Sequence, residues 1–284
     1  MKNTLYIIGN GFDLHHKQPT SYNNFRNNYA KKSPILWNYL EKIYGLDRIL
    51  NDMWWANFEE MLGEVNYTSL LHSNNGIALG DQKAKDFIQN LSLFFGNWIK
   101  NIDERIHSDK LILRQDIIPN ALFFTFNYTT LLEKVYKVHN GNIWHIHGSI
   151  LDFEENQKSL IVGHDSDGAK LIQYSSNYND QNISPAYKDS INQAIMKGAK
   201  RVKERITQNE EKFKHYSTVT HFIVMGFSFN DIDMPYIKKI IDVNNNIHNT
   251  KWTIYWHTEG EDTTIIEKLQ HLKIKKEQIT TKYW

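Results

Sequence analysis

Cysteine is absent from the 284 residues of the chain. This absence excludes disulfide bonds, thiolate zinc sites and a cysteine nucleophile. The sequence also lacks any run of about 18 apolar residues that would span a membrane, and it does not begin with the basic and apolar segments of a secretory signal. We therefore expect a cytoplasmic protein with no membrane partner.

An excess of charge of one sign is lacking too. Lys and Arg number 33 against 32 Asp and Glu, which gives a formal net charge of +1. Direct nucleic-acid binding is not expected, because it usually requires a clustered basic excess. Hydrophobic residues make up 40% of the chain and aromatic residues 13%, so the composition is typical of a folded protein with a large core.

Short apolar runs rich in β-branched and aromatic residues predict six buried parallel strands. They cover residues 4–9, 121–126, 143–148, 159–163, 220–226 and 251–257. Segments with helical periodicity lie between several of these runs. The alternation favours an α/β fold that is Rossmann-like, with a mostly parallel open sheet and helices on both faces.

The connection between the first two predicted strands is about 110 residues long, which is far more than one crossover helix needs. It contains several helix-like segments. We predict a single α/β domain over residues 1–284, with a helical insertion at about 20–115.

Ligands of open α/β sheets bind beyond the carboxyl ends of the strands, so the residues that follow each strand are the informative ones. Glycines, polar side chains and histidines follow five of the predicted strands. The segments are GNGFD (9–13), NYTT (127–130), HIHGS (145–149), GHD (163–165) and GFSFNDID (226–233).

Two interpretations fit the Gly9-Asn10-Gly11 turn. The glycines can permit close packing of the turn, or the turn and the following helix can receive a pyrophosphate. The third glycine of the usual dinucleotide fingerprint is missing, because Leu14 occupies its position.

Asn127 and His147 are each open to a structural and a functional interpretation. Asn127 ends an almost continuous hydrophobic strand, where its amide can cap the next helix or orient a ribose hydroxyl or a water. His145 and His147 share one face if their strand is regular. His147 precedes a Gly-Ser turn, so it is either a buried core histidine or a general base in the cleft.

A metal site would use the same side chains. The candidate ligands are Asp13, His15, His16, His145, His147, His164 and Asp165. None of the close pairs has the helical spacing of a zincin motif, and we expect no metal cofactor.

Ordered sequence blocks along nearly the whole chain resemble the AbiH family of bacteriophage abortive-infection proteins. The blocks are IIGNGFDLHHKQPTSYNNF (7–25), WANFEEML (55–62), FFTFNYTTLLEKVY (123–136), WHIHGS (144–149), LIVGHD (160–165) and VMGFSFNDIDMPYI (224–237). More distantly, this pattern resembles the sirtuin-like NAD hydrolases of defence systems. Those enzymes carry a glycine-rich loop after the first strand, Asn-Tyr-Asp after a second and His-Gly-Ser after a third.

The resemblance implies roles for residues of this sequence. Asn127 would be the catalytic amide and His147 the catalytic base. The residues implied to bind the dinucleotide are Gly9, Asn10, Gly11, Asp13, Tyr128, Ser149, Gly226, Ser228 and Asp231, and the last three would close the ribose and adenine side. Asn10 and Asp13 replace the Ala and Ser of the sirtuin-like loop, and a carboxylate next to a pyrophosphate is unfavourable unless it faces a ribose, a helix N-terminus or a cation.

The function implied is an anti-phage effector that hydrolyses NAD to nicotinamide and ADP-ribose. NAD would be its substrate, and no metal would be needed. Activity would be conditional, through a phage-derived trigger or through homo-oligomer assembly by way of the insertion at 20–115. Two alternatives remain open: a metal-dependent phosphoesterase or nuclease using Asp13, His147 and His164, and a sensor that binds NAD or ADP-ribose without cleaving it.

Overall fold

A computed structural model describes residues 3–64, 81–107, 116–156, 160–164, 189, 192, 195–196 and 198–284 of the chain. These residues form two compact units. The first unit comprises Met1–Thr20, Ile99–Lys158 and Val202–Trp284, and the second comprises Ser21–Trp98 and Ser159–Arg201.

The first unit is built on a parallel six-stranded sheet. Its strands are β1 (Thr4–Ile8), β2 (Leu122–Thr125), β3 (Ile143–His145), β4 (His221–Met225), β5 (Lys251–Trp256) and β6 (Ile279–Tyr283). Their order across the sheet is β3-β2-β1-β4-β5-β6, the order found in Rossmann folds. Every pairing of neighbours is parallel, which confirms the predicted fold class.

Alternation along β1 shows why the sheet is covered on both faces. Leu5 and Ile7 belong to one buried cluster, and Tyr6 and Ile8 belong to another. Parallel strands buried on both faces need this near-continuous hydrophobic sequence. The helices of the first unit, apart from the one at Ile150–Asn156, contribute apolar side chains to these two clusters. They are α1 (Asn10–His15), α8 (Leu131–Tyr136), α9 (Ile150–Asn156), α10 (Val202–Gln208), α11 (Glu210–Lys214), α12 (Met234–Asp242) and α13 (Glu261–His271).

The second unit contains helices from the long connection between β1 and β2. They are α2 (Tyr22–Asn28), α3 (Pro34–Tyr44), α4 (Leu46–Ile49), α5 (Asp52–Ala56), α6 (Phe58–Met61) and the greater part of α7 (Asp81–Asp103). Aromatic side chains form its core, where Phe25, Trp55 and Phe58 are fully buried. The helical character predicted for this connection is present, and the prediction of one domain with an insertion at about 20–115 stays a prediction.

Two strand predictions were wrong. Residues 159–163 were predicted as a strand, but 160–163 have no strand and are followed by an isolated bridge between His164 and Ala199. A Cβ on Gly163 would lie 1.9 Å from the carbonyl oxygen of Gly198, so the buried part of this run, Leu160 and Gly163, is packed within the second unit, whereas residues 161 and 162 are half-buried. The last strand, β6, was not predicted, because its sequence ITTKY is polar and it pairs with β5 alone at the sheet edge.

Candidate functional site

The strand order brings three of the predicted segments to one edge of the sheet. β1 has β2 on one side and β4 on the other, and the chain continues outward from β1 in opposite directions. In open α/β sheets this point of divergence is where ligands bind. Residues 9–13, 127–130 and 226–233 follow these three strands directly.

The Gly9-Asn10-Gly11 turn packs against the backbone that follows β4. The N–H of Gly9 donates to the carbonyl of Met225 over 3.0 Å, and the N–H of Gly11 donates to that of Gly226 over 2.9 Å. A Cβ on Gly9 would lie 2.5 Å from the oxygen of Gly226, so no larger residue fits without movement. The packing interpretation therefore accounts for both glycines. The exposed Asn10 donates its side-chain amide to the carbonyl of Thr20 over 3.1 Å.

The partner in this packing, Gly226, has a φ of +64°, in the left-handed region that favours glycine. Of the two further predicted binding residues in this loop, Ser228 is exposed. The other, Asp231, forms an ion pair of 2.9 Å with Lys268, and its side chain is 92% exposed. These two side chains lie on the solvent side of the loop.

Asp13 points into the protein and joins the ends of β1 and β2. Only 2% of it is exposed. One carboxylate oxygen accepts from Nδ2 of Asn127 over 2.9 Å, and the other accepts from Oγ1 of Thr129 over 2.7 Å. Burial raises the pKa of Asp13 to about 7, although these two hydrogen bonds act in the opposite direction.

The amide of Asn127 is thereby left with one unused acceptor. Asn127 is 7% exposed, and its Oδ1 is buried without a hydrogen-bond partner among the described residues. An unsatisfied buried polar atom costs free energy, and in native proteins such atoms are uncommon. A ligand with an O–H or N–H group would satisfy it.

The backbone of Asn127 is held as well. Nδ1 of His145 lies 2.7 Å from the Asn127 carbonyl, and Nε2 of His145 lies 3.0 Å from Oε1 of Glu133. Burial lowers the pKa of His145, but the hydrogen bond and charge of Glu133, the hydrogen bond with the Asn127 carbonyl and the charge of Asp152 together raise it. Both ring nitrogens face acceptors, so the doubly protonated imidazolium suits this position.

His147 lies beyond the end of β3, because the strand stops at His145. The prediction that the two histidines share one face of a regular strand was wrong: His145 contacts Asn127 and Glu133, whereas Nε2 of His147 lies 3.4 Å from Oδ1 of Asp233. His147 is only 2% exposed. Aromatic rings of Phe126, Tyr128 and Tyr236 lie within 6.3 Å of its ring, measured between centroids.

The last two predicted binding residues are Tyr128 and Ser149. The ring of Tyr128 lies near that of His147, and Ser149 follows His147 by two positions in the chain. The carbonyl of the half-buried Tyr128 accepts from the N–H of Ile150 over 2.8 Å. Ser149 forms the start of α9, since its N–H donates to Asp152 over 3.2 Å and its hydroxyl accepts from the N–H of Asp152 over 3.4 Å. This reciprocal pairing is a helix cap, which gives Ser149 a structural role.

A comparison with protein families places this site in context. Residues 5–256 match the family described as Bacteriophage abortive infection AbiH. The chain belongs to the AbiH family. Searches of curated proteins and of solved structures gave no match.

The family assignment confirms the resemblance stated from the sequence blocks, and it makes anti-phage abortive infection the process to which this AbiH chain belongs. All of the predicted catalytic and binding residues lie in the first unit. The geometry brings Asp13 together with Asn127, and Gly9 and Gly11 together with Gly226.

Several residues of this AbiH site were not predicted from the sequence. Thr129 binds Asp13, and Asp103 accepts from both the N–H and the hydroxyl of Thr130 at the start of α8. Asp233 faces His147. The sequence signals were the polar run NYTT directly after a buried strand and, for Asp233, the segment GFSFNDID. Neither signal identified the contacts, because the acidic partners are distant in the chain.

Of the residues proposed for a metal site, Asp13 and His164 are committed to other contacts, and Asp165 lies outside the described residues. Both carboxylate oxygens of Asp13 accept hydrogen bonds, and Nε2 of His164, in the second unit, lies 2.8 Å from the carbonyl of Ile195. Within the described ranges, no group of three His, Asp or Glu residues has a metal-binding arrangement. The part of the AbiH chain that the structure describes also contains no helix with the length and apolar content needed to cross a bilayer.

Proposed function

We propose that this AbiH chain acts in abortive infection by hydrolysing NAD to nicotinamide and ADP-ribose at the edge of the sheet formed by the ends of β1, β2 and β4. The observation that carries the proposal is Oδ1 of Asn127. This atom is a buried acceptor without a hydrogen-bond partner among the described residues, on an amide held in place by Asp13. A ribose hydroxyl or the attacking water would supply the missing donor.

The reaction is compatible with neutral and weakly basic groups. The bond between ribose C1′ and the nicotinamide nitrogen breaks, and its electron pair neutralises the cationic ring, so the leaving group needs no acid. Water then forms the new bond to C1′ through an oxocarbenium-like transition state, as in glycoside hydrolysis. His147 would accept the proton of that water, and Asp233 would support the imidazolium, since its Oδ1 lies 3.4 Å from Nε2.

The phosphate contacts proposed for residues 9–13 require a refinement. The N–H groups of Gly9 and Gly11 already donate to carbonyls of the β4 loop. The pyrophosphate would therefore contact exposed groups at the turn, of which Asn10 and Ser228 are the uncharged predicted binding residues on the solvent side. Asp13 would avoid repulsion from the phosphates because it faces Asn127 and Thr129.

A purified protein tests the chemistry directly. The chain is incubated with NAD, with and without EDTA, and nicotinamide and ADP-ribose are followed by chromatography. We expect release by the wild type, insensitivity to EDTA and a loss of about a hundredfold or more in Asn127→Ala and in His147→Gln. Asn140→Ala, an exposed asparagine just before β3, is the matched control and should keep wild-type activity.

Infected cells test the conditional activity that abortive infection requires. Cells that express the wild type, Asn127→Ala or Asn140→Ala are challenged with a panel of phages, and NAD and cell survival are measured over time. The proposal expects NAD to fall only after infection and only with an intact Asn127. Abortive infection with constant NAD would overturn the proposal, and so would NAD bound intact by the triggered protein, which would indicate a sensor.

A further inference from the structure

The hydrogen bond from Asn127 to Asp13 can fix the Asn127 amide in one of its two orientations. A side-chain amide presents a donor on one side and an acceptor on the other, and rotation by half a turn exchanges them. A carboxylate is an acceptor only. An ionised Asp13 therefore admits only the Nδ2 side of Asn127, as the distance of 2.9 Å between Nδ2 and the carboxylate shows.

We propose that Asp13 is the positioning residue that holds the Asn127 amide with its Oδ1 available to the ligand, an inference that rests on the proposed function. Asp13 itself is buried and has both oxygens engaged, so it acts through Asn127. Thr129 donates to the second oxygen and thereby fixes the carboxylate. The Asn127 backbone is fixed by His145, so the orientation of the amide is the remaining variable.

Protonation of Asp13 would weaken this selection. A carboxylic acid carries an O–H donor, and the Oδ1 of a rotated Asn127 is an acceptor within reach of it. In the rotated state the ligand would meet Nδ2, and the acceptor for a ribose hydroxyl or water would be lost. The orientation is therefore expected to depend on pH near neutrality, since burial raises the pKa of Asp13 to about 7.

Other charges around Asp13 act on its protonation equilibrium. Asp103, at the end of α7, raises the pKa of Asp13 by its negative charge, and His145, at the end of β3, lowers it. The hydrogen bonds from Thr129 and Asn127 favour the ionised form. Because His145 is itself titratable, the experiment below includes a variant in which only Asp13 has lost its ionisation.

Two substitutions separate orientation from charge. In Asp13→Asn, the new amide can accept from Asn127 with its oxygen and donate to the Thr129 hydroxyl, so the observed arrangement stays possible without a titrating group, although this amide can also rotate and admit a rotated Asn127. In Asp13→Ala both contacts are lost. Asp242→Asn removes an exposed carboxylate of α12 that pairs with Lys238, and it serves as the control.

Rates of NAD cleavage are measured for these variants from pH 5.5 to 9, with folding checked by thermal unfolding. We expect kcat of Asp13→Ala to fall at least about tenfold while KM changes less than about threefold. Asp13→Asn should keep more than a tenth of kcat at pH 8 and should lose the part of the decline in kcat below about pH 7 that protonation of Asp13 causes, while the part due to protonation of His147 should remain. If a folded Asp13→Ala has wild-type kcat and pH profile, the positioning role is wrong.

A spectroscopic measurement reads the orientation without relying on catalysis. In protein labelled with ¹⁵N-asparagine, the side-chain signal of Asn127 is identified by its absence in Asn127→Ala. The proposal expects this signal to shift with a midpoint near pH 7 in the wild type and in Asp242→Asn, but not in Asp13→Asn. A signal that ignores pH in the wild type overturns the inference. If the wild type fails to cleave NAD under every condition, the proposed function is wrong, and the spectra alone decide whether Asp13 orients Asn127.

Discussion

Nδ2 of Asn127 lies 2.9 Å from Oδ1 of Asp13, although 114 positions separate these residues in the chain. The contact connects the first turn after β1 with the first residues after β2. Both side chains are buried where the apolar strands end, so the sheet determines their position. Removing one partner would leave the other as a buried polar group with an unmet hydrogen bond, which is costly.

The ionisation of Asp13 predicts a specific dependence of stability on pH. Burial raises its pKa from 3.8 to about 7, so the folded protein retains this proton at pH values where the unfolded chain has lost it. The contribution of Asp13 to the free energy of unfolding is therefore greatest below about pH 4 and falls as the pH rises to about 7, by on the order of 4 kcal/mol. Asp13→Asn should lack this decline.

Urea unfolding of the wild type and of Asp13→Asn at pH 5 and pH 8 measures the effect. The free energy of unfolding of Asp13→Asn, relative to that of the wild type, should be higher at pH 8 than at pH 5. Asp242→Asn corrects for the removal of an exposed carboxylate. A stability difference between wild type and Asp13→Asn that stays constant with pH would show that Asp13 has the same pKa in both states.

The close approach of Gly226 to α1 predicts a large effect of one methyl group. A Cβ on Gly226 would lie 2.1 Å from the backbone nitrogen of Phe12, which cannot move without displacing the helix. Gly226→Ala should lower the free energy of unfolding by about 3 kcal/mol or more, as strain and overpacking add.

Gly260 supplies the matched control for that substitution. Its φ of +82° also favours glycine, but a Cβ there would meet nothing within 4 Å. Gly260→Ala should cost only the backbone strain, about 1 to 2 kcal/mol. Equal losses in the two variants, measured by urea unfolding, would mean that the packing of the turn against the β4 loop contributes little.

Features that depend on a local run of residues can be predicted from the sequence, whereas features that depend on contacts between distant segments cannot. Five apolar runs became strands, because buried parallel strands require continuous hydrophobic sequence. The run at 160–163 has the same composition but is buried outside the sheet, and polar β6 shows that an edge strand needs little hydrophobicity.

Within the site, the sequence predicted which residues follow the strands but not what they contact. Asp13 was placed near a phosphate, whereas it is turned toward Thr129 and Asn127. The glycines at 9 and 11 are needed against Gly226, which is more than 200 positions away. Contacts of this kind depend on which strands become neighbours, and single-sequence periodicity does not encode strand order.

The second unit contains a buried ion pair that predicts non-additive effects. Nζ of Lys200 lies 2.8 Å from Oε2 of Glu59, and the Lys200 side chain is 1% exposed. Breaking such a pair removes an opposite charge from a buried ammonium group, so Glu59→Gln should be destabilising, by up to about 3 kcal/mol. The double variant Glu59→Gln, Lys200→Met should be less destabilised than the sum of its single variants. A double-mutant cycle by urea unfolding measures the coupling, and additive losses would contradict it.

Glu133 is predicted to control the charge of His145. Burial lowers the pKa of the imidazole, but the hydrogen bond and charge of Glu133, together with the Asn127 carbonyl and the charge of Asp152, raise it above its ordinary value. The resulting stability is fully present below the unfolded pKa of about 6.5 and is lost as the pH rises through the higher folded value. This window begins near pH 6.5 and so overlaps the upper end of that of Asp13, which reaches about 7; the variants Asp13→Asn and Glu133→Gln distinguish the two effects.

Glu133→Gln should therefore lower the pKa of His145 and remove the corresponding decline of stability above about pH 6.5. Titration of the histidine ring by NMR measures the first effect, with the signal assigned through His145→Gln, and urea unfolding at pH 6 and pH 8.5 measures the second. Glu210→Gln removes an exposed carboxylate that pairs with Lys239, and it should change neither the pKa of His145 nor this decline of stability.

Because His145 also binds the Asn127 carbonyl, the neutral histidine of Glu133→Gln can still donate from Nδ1, and Asn127 should remain in place. A pKa of His145 unchanged by Glu133→Gln would mean that the imidazolium is stabilised by the Asn127 carbonyl and the charge of Asp152 without Glu133.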